Sequence, residues 1–231
     1  NIIVLCALYF FADIIMVLLQ SAMLPNEILV SLSNNQISSA ISEEQGISLV
    51  TFFFLKQFIY IFISAWCLIT IHQISLRQFS TVLQSFASTL KRIWGALLLS
   101  FLIFIPILVG LTEAMIAIQQ KVQPSIISLF AIIIGIGLYI RLCLAPVHYL
   151  LTDAGISASA KITWRAAMGR VSVLFIFCLL IYVLVPLAES FLISLSSNAI
   201  MAVITGIIAA LINVFALVVT YRFYTLFIAK A

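Results

Sequence analysis

The chain has 231 residues, of which 65% are hydrophobic and 8% charged, with a mean hydropathy of +1.31. Soluble domains carry about 25% charged residues. A chain this poor in charge cannot cover a water-facing surface, which excludes a soluble enzyme, a nucleic-acid binder and a disordered chain. The net charge of +4 is read as membrane topology, because basic residues collect in cytoplasmic connections.

A hydrocarbon core of ~30 Å needs about 20 apolar residues in a helix. Six stretches meet that length in chain order: 2–24, 47–76, 94–118, 125–151, 171–195 and 198–228. The first is interrupted by Asp13 and Gln20 and ends before Pro25. The second is aromatic and carries Lys56. Residues 25–46 form a polar connection with Glu27, Glu43 and Glu44 and no base. Residues 119–124, with Lys121 and Pro124, and residues 196–197 predict short turns. No Lys or Arg precedes Lys56, so no signal peptide is readable, and the chain is read as lacking its true N-terminus.

The connections 77–93 and 152–170, with adjoining helix ends and the C-terminus, hold nine bases: Arg77, Lys91, Arg92, Arg141, Lys161, Arg165, Arg170, Arg222 and Lys230. The other side holds Lys121. This asymmetry predicts both termini and both basic connections in the cytoplasm. Both connections also have helical periodicity. Leu76, Phe79, Val82/Leu83, Phe86 and Leu90 share one face, with Ser80, Gln84, Ser85, Ser88 and Lys91 on the others. In the second, Ile156, Ala160, Thr163/Trp164, Ala167 and Val171 share a face, and Lys161 and Arg165 sit one turn apart elsewhere. Both read as amphipathic helices at the cytoplasmic interface, apolar face in lipid and bases toward headgroups. Each feeds a span with an internal proline, Pro106 or Pro186, which suggests a parallel repeat over 47–118 and 125–195.

Ionisable groups in hydrocarbon cost about 2.5–3.5 kcal/mol on insertion scales, so they need a partner or a task. Asp13, Lys56 and Arg141 are such groups, and by depth either base is placed to pair with Asp13. A structural ion pair, a proton or substrate relay and snorkelling to headgroups are the three readings. His72 and His148 lie near cytoplasmic span ends and read as interfacial. Asn213 is placed to hydrogen-bond a neighbouring helix, and Gly135 and Gly137 are too close in sequence for a GxxxG contact. Cys6, Cys67, Cys143 and Cys178 each lie in apolar surroundings without a CxxC pair, and read as inert thiols. No HExxH, GxSxG, Walker loop or GxGxxG occurs. No catalytic residue, metal site or cofactor is therefore expected.

Arg141 followed by Ala145-Pro146, then Thr163-Trp164 closing a surface helix, a long apolar span, and Arg222-Phe223-Tyr224 near the C-terminus, resembles the YciC family of bacterial inner-membrane proteins. The similarity covers most of 47–231 in organisation. The segment from Pro146 to Trp164 is roughly one helical turn shorter than that family's, and the polar stretch that precedes its first span does not appear. More distantly the chain is similar to the membrane domains fused to glycerophosphodiester phosphodiesterases. The resemblance implies a six-helix inner-membrane protein without an established reaction, and it brings no catalytic residues.

The sequence thus predicts an all-α polytopic bundle, a single transmembrane domain over 1–231, with six spans and two cytoplasmic interfacial helices. The functional expectation is a non-enzymatic inner-membrane protein that binds lipid or a membrane-protein partner, through Lys91, Arg92, Arg141, Lys161, Arg165 and Arg222. The alternatives are a small transporter or channel with a polar path at Asp13, Lys56 and Arg141, and a membrane enzyme acting on lipid.

Overall fold

The computed structural model describes residues 2–23, 43–77, 82–194 and 199–229. The polar connection 25–42, the turn at 196–197 and Lys230 lie outside the described residues. The described chain is helical throughout: α1 (Ile2–Met23), α2 (Glu43–Ser75), α3 (Val82–Gln119), α4 (Ile126–Leu142), α5 (Ala145–Leu151), α6 (Ile156–Ala167), α7 (Val171–Leu179), α8 (Val185–Ser194) and α9 (Ala199–Ala229). Among the described residues, five helical segments are long and apolar enough to cross a membrane: Phe54–Ser75, Gln84–Ala117, Ile126–Leu151, Val171–Leu192 and Met201–Ile228. In α1 the apolar run is Ile3–Met16. Large apolar side chains such as Ile126, Ile127, Phe130 and Ile133 point outward. That suits a lipid solvent and would be an extensive apolar patch in water. The protein is an all-α, multi-pass membrane protein.

From Val82 on, the first basic connection is not a separate helix, and its residues 78–81 lie outside the described residues. It continues into the following span as one 38-residue α3, about 57 Å at 1.5 Å per residue. Nothing between Leu90 and Trp94 breaks it. Its faces divide as the periodicity predicts: Phe86, Leu90 and Trp94 are exposed, while Ser85 and Thr89 are fully buried. The small polar side chains form the protein-facing stripe. Ser85 donates to Gln73 Oε1, and Thr89 donates back to the Ser85 carbonyl at 2.8 Å.

The second basic connection does form its own helix, α6, but the expectation for its apolar face is overturned. Ser159, Thr163, Ala166 and Ala167 are buried. Ile156 and Ala160 pack on a core of Leu99, Ile103 and Ala145. The face assigned to lipid is seated on protein, because its residues are small enough for close helix contact. Gly169 (φ +76°) turns the chain out of α6 toward α7, a conformation that only glycine adopts without strain.

α3 and α4 pair through a short turn. The hydroxyl of Ser125 accepts from the Ile127 N–H at 3.1 Å and caps α4. The helices approach closely at Gly110 and Gly135. A Cβ on Gly110 would lie 2.6 Å from Ile132 Cγ1 and 2.8 Å from the Ser128 carbonyl oxygen. One on Gly135 would lie 2.6 Å from Ile107 Cγ1 and 2.9 Å from the Ile107 amide nitrogen. Between α7 and α8 the helix widens into a π-turn at Leu180–Leu184. Pro186 follows it after Val185, lacking an N–H and crowding the carbonyl four residues back, at Tyr182. The wider turn gives that ring room. The two Pro-containing spans therefore differ, since Pro106 sits within continuous α-helix.

The described chain divides into two compact units, residues 1–64 with 191–214 and residues 65–190 with 215–231. The first has a small core of Met16 and Phe52 with Leu19, Ile59 and Tyr60. The second has a larger core that includes Leu68, Cys143, Leu144, Leu174, Phe177, Tyr221 and Tyr224.

Candidate functional site

Most of the basic residues fall in the second unit, and its helix ends define the candidate site. Arg92, near the start of α3, reaches the end of α5. Its guanidinium donates to the Thr152 carbonyl at 2.6 Å and the Leu150 carbonyl at 3.3 Å, and pairs with the Asp153 carboxylate. Thr152 closes the same helix end: its N–H and its hydroxyl both donate to the His148 carbonyl, at 3.0 and 2.7 Å. A cation at these free carbonyls also meets the negative end of the helix dipole. Arg92 was expected at lipid headgroups; the geometry gives it to α5.

Arg141, in the last turn of α4, lies over the indole of Trp164 with its guanidinium carbon 4.8 Å from the ring centroid. Such stacking contributes roughly 0.5–2 kcal/mol. Arg170 reaches the Phe227 carbonyl at 3.5 Å and lies 5.9 Å from the Phe227 ring centroid. Lys91, Lys161, Arg165 and Arg222 are exposed. On α6, Lys161 and Arg165 are flanked by the exposed side chains of Ile162 and Met168.

Two histidine–tyrosine pairs tie this end of the unit to α9. His72 Nδ1 lies 3.2 Å from the Tyr221 hydroxyl, and His148 Nδ1 lies 2.8 Å from the Tyr224 hydroxyl. His148 is 6% exposed, and its Nε2 is buried without a partner among the described residues. The sequence read both histidines as interfacial and gave no sign of these partners. The tyrosines are three apart on α9, a spacing that puts them on one helical face.

In the first unit, Tyr60 donates its hydroxyl to Asp13 Oδ1. Lys56 lies one turn from Tyr60 with its ammonium 5.9 Å from that ring centroid. Tyr9 and Ser64 share a 2.6 Å hydrogen bond in the same unit. Tyr60 is thus a partner of Asp13 that charge arithmetic did not suggest. The Tyr60→Phe variant is expected to lose about 1 kcal/mol of stability, near the upper range for hydrogen bonds inside membranes, read from thermal unfolding in detergent.

Among the described residues no three His, Cys, Asp or Glu side chains come together as a metal-binding group. No family model matches the chain, and no solved structure matches it. An uncharacterized protein of Haemophilus influenzae is 44% identical over 173 residues, covering 75% of this chain and 71% of that protein. The chain belongs to that protein's family. It is a multi-pass membrane protein with a bacterial relative.

Proposed function

We propose that the protein is a six-span inner-membrane protein of the YciC type, with α1 as the sixth span and both termini in the cytoplasm. It acts without catalytic chemistry and holds anionic lipid at its cytoplasmic face. One observation carries this reading. Lys161 and Arg165 stand exposed one turn apart on α6, beside exposed Ile162 and Met168, while the opposite face of the helix is fixed on protein. A rigid helix with two cations and two apolar side chains outward matches a boundary between headgroups and acyl chains. Lys91 and Arg222 are further exposed cations of the same unit. Arg141 stacked on Trp164 contributes an amphipathic platform suited to that depth.

The transporter reading rests on Asp13, Lys56 and Arg141. The engagement of Asp13 by Tyr60 and of Arg141 by Trp164 favours structural roles for them.

Anionic lipid attracts a base near the surface by ~1 kcal/mol, so two bases amount to roughly thirtyfold in affinity. In native mass spectrometry, the protein is expected to retain phosphatidylglycerol over phosphatidylcholine. Lys161→Gln with Arg165→Gln should lower that retention about thirtyfold without unfolding the protein. Equal retention by wild type and the double variant would show that α6 is no lipid site. Arg92 is left intact in this test because it holds α5.

A further inference from the structure

The sequence offers four scattered cysteines, but the fold brings two of them together. Tyr139 and Cys143 lie four residues apart, on the last turns and at the C-terminal cap of α4. Cys178 and Tyr182 lie four apart on α7 and the π-turn that follows. The rings of Tyr139 and Tyr182 meet edge to face with centroids 5.3 Å apart. Four residues onward along α4 and four residues back along α7 reach Cys143 and Cys178. Both thiols belong to one core cluster, at 4% and 6% exposure, and the Cys143 thiol donates to the Ile140 carbonyl at 3.3 Å. The result is a quartet of two thiols and two phenols contributed symmetrically by two helices. Neither Cys6 nor Cys67 is part of it.

We propose that Cys143 and Cys178 are a dithiol that a hydroperoxide closes to a disulfide, locking α4 to α7. The oxidant class follows from the surroundings. The pair sits among apolar side chains and is bordered by Tyr182, which is 43% exposed on the outer face. A small uncharged oxidant that partitions into lipid reaches such a place, and a charged one does not.

The chemistry balances. One sulfur, as thiolate, attacks the O–O bond and becomes a sulfenic acid, and the oxygen that leaves takes up that thiol's proton as water or an alcohol. The second thiol then attacks the sulfenic sulfur. The S–S bond forms, the S–O bond breaks, and the departing hydroxide leaves as water with the second thiol's proton. Two thiols and one hydroperoxide give one disulfide, one water and one further water or alcohol. The phenols of Tyr139 and Tyr182, whose rings meet beside the thiols, supply an O–H donor to the leaving oxygen. This proposal is independent of the lipid reading.

The full chain in nanodiscs is treated with hydrogen peroxide or cumene hydroperoxide, denatured, and labelled with a maleimide for intact-mass measurement. The reduced protein should take four labels, the oxidised protein two, and dithiothreitol should restore four. Peptide mapping should join the segments holding Cys143 and Cys178. Cys143→Ser and Cys178→Ser should each keep all three remaining thiols labelled. Four labels after oxidation, a link through Cys6 or Cys67, or separate sulfinic and sulfonic adducts would each overturn the proposal. Copper phenanthroline serves as a geometric control. A link formed by it and not by hydroperoxide overturns the response, and failure of both overturns the pairing as well.

Discussion

Gly135→Leu is expected to destabilise the protein by about 3 kcal/mol, the upper range for overpacking a close-packed interface. Gly137→Leu, two residues away, should leave it nearly unchanged. The two positions look alike in sequence, yet a Cβ at Gly135 meets Ile107 at 2.6 and 2.9 Å, and one at Gly137 meets nothing within 4 Å. The second of the Ile107 contacts is backbone and cannot swing aside. Relief would require α3 and α4 to separate, which would break the dispersion contacts along the whole hairpin. Gly110→Leu should resemble Gly135→Leu, since it meets the Ser128 carbonyl from the opposite helix. Thermal unfolding of the three variants in one detergent checks the ordering. Equal midpoints for Gly135→Leu and Gly137→Leu would contradict the close α3–α4 approach.

Arg92→Leu is expected to cost about 2–3 kcal/mol. The leucine retains much of the apolar stem and removes the donors to the Leu150 and Thr152 carbonyls. Hydrogen bonds from a charged donor contribute about 1.5–3 kcal/mol each when intact. Part of the loss is recovered, because water reaches this helix end. The Asp153 contact contributes far less, since its carboxylate is 96% exposed and the Arg92 side chain 31%, and solvated ion pairs have little net effect. Asp153→Asn should therefore be near-neutral. Comparing Arg92→Leu with Asp153→Asn by the same unfolding measurement separates carbonyl capping from ion pairing. If the two variants fall by the same amount, the ion pair is the main term and the capping account fails.

Much of the architecture was legible because hydrocarbon imposes a simple rule: apolar stretches of about 20 residues become helices. The long spans and the short turn before Ser125 follow from it, and the helical character of both basic connections follows from their three-and-four periodicity. Contacts between helices were less legible. Periodicity assigns residues of α6 to a face but does not say whether lipid or protein covers that face; the small side chains of Ser159, Ala166 and Ala167 were the available sign of protein. Arg92 was grouped with the headgroup bases because charge and position say nothing of the α5 carbonyls 58 and 60 residues away. Tyr60 escaped notice as the partner of Asp13 because charge counting looks for cations. The Cys143–Cys178 approach depends on the register of α4 against α7, which no local spacing encodes.

The lipid reading requires α6 to face the cytoplasm and the turn between α3 and α4 to face outward. In a background with the four native cysteines replaced, Lys121→Cys and Ser157→Cys place single exposed thiols on those two segments. Spheroplasts of a bacterial host are treated with a membrane-impermeant maleimide, before and after permeabilisation. Lys121→Cys is expected to react in intact spheroplasts, and Ser157→Cys only once the membrane is opened. Labelling of Ser157→Cys in intact spheroplasts, with Lys121→Cys protected, would invert the orientation and contradict the account.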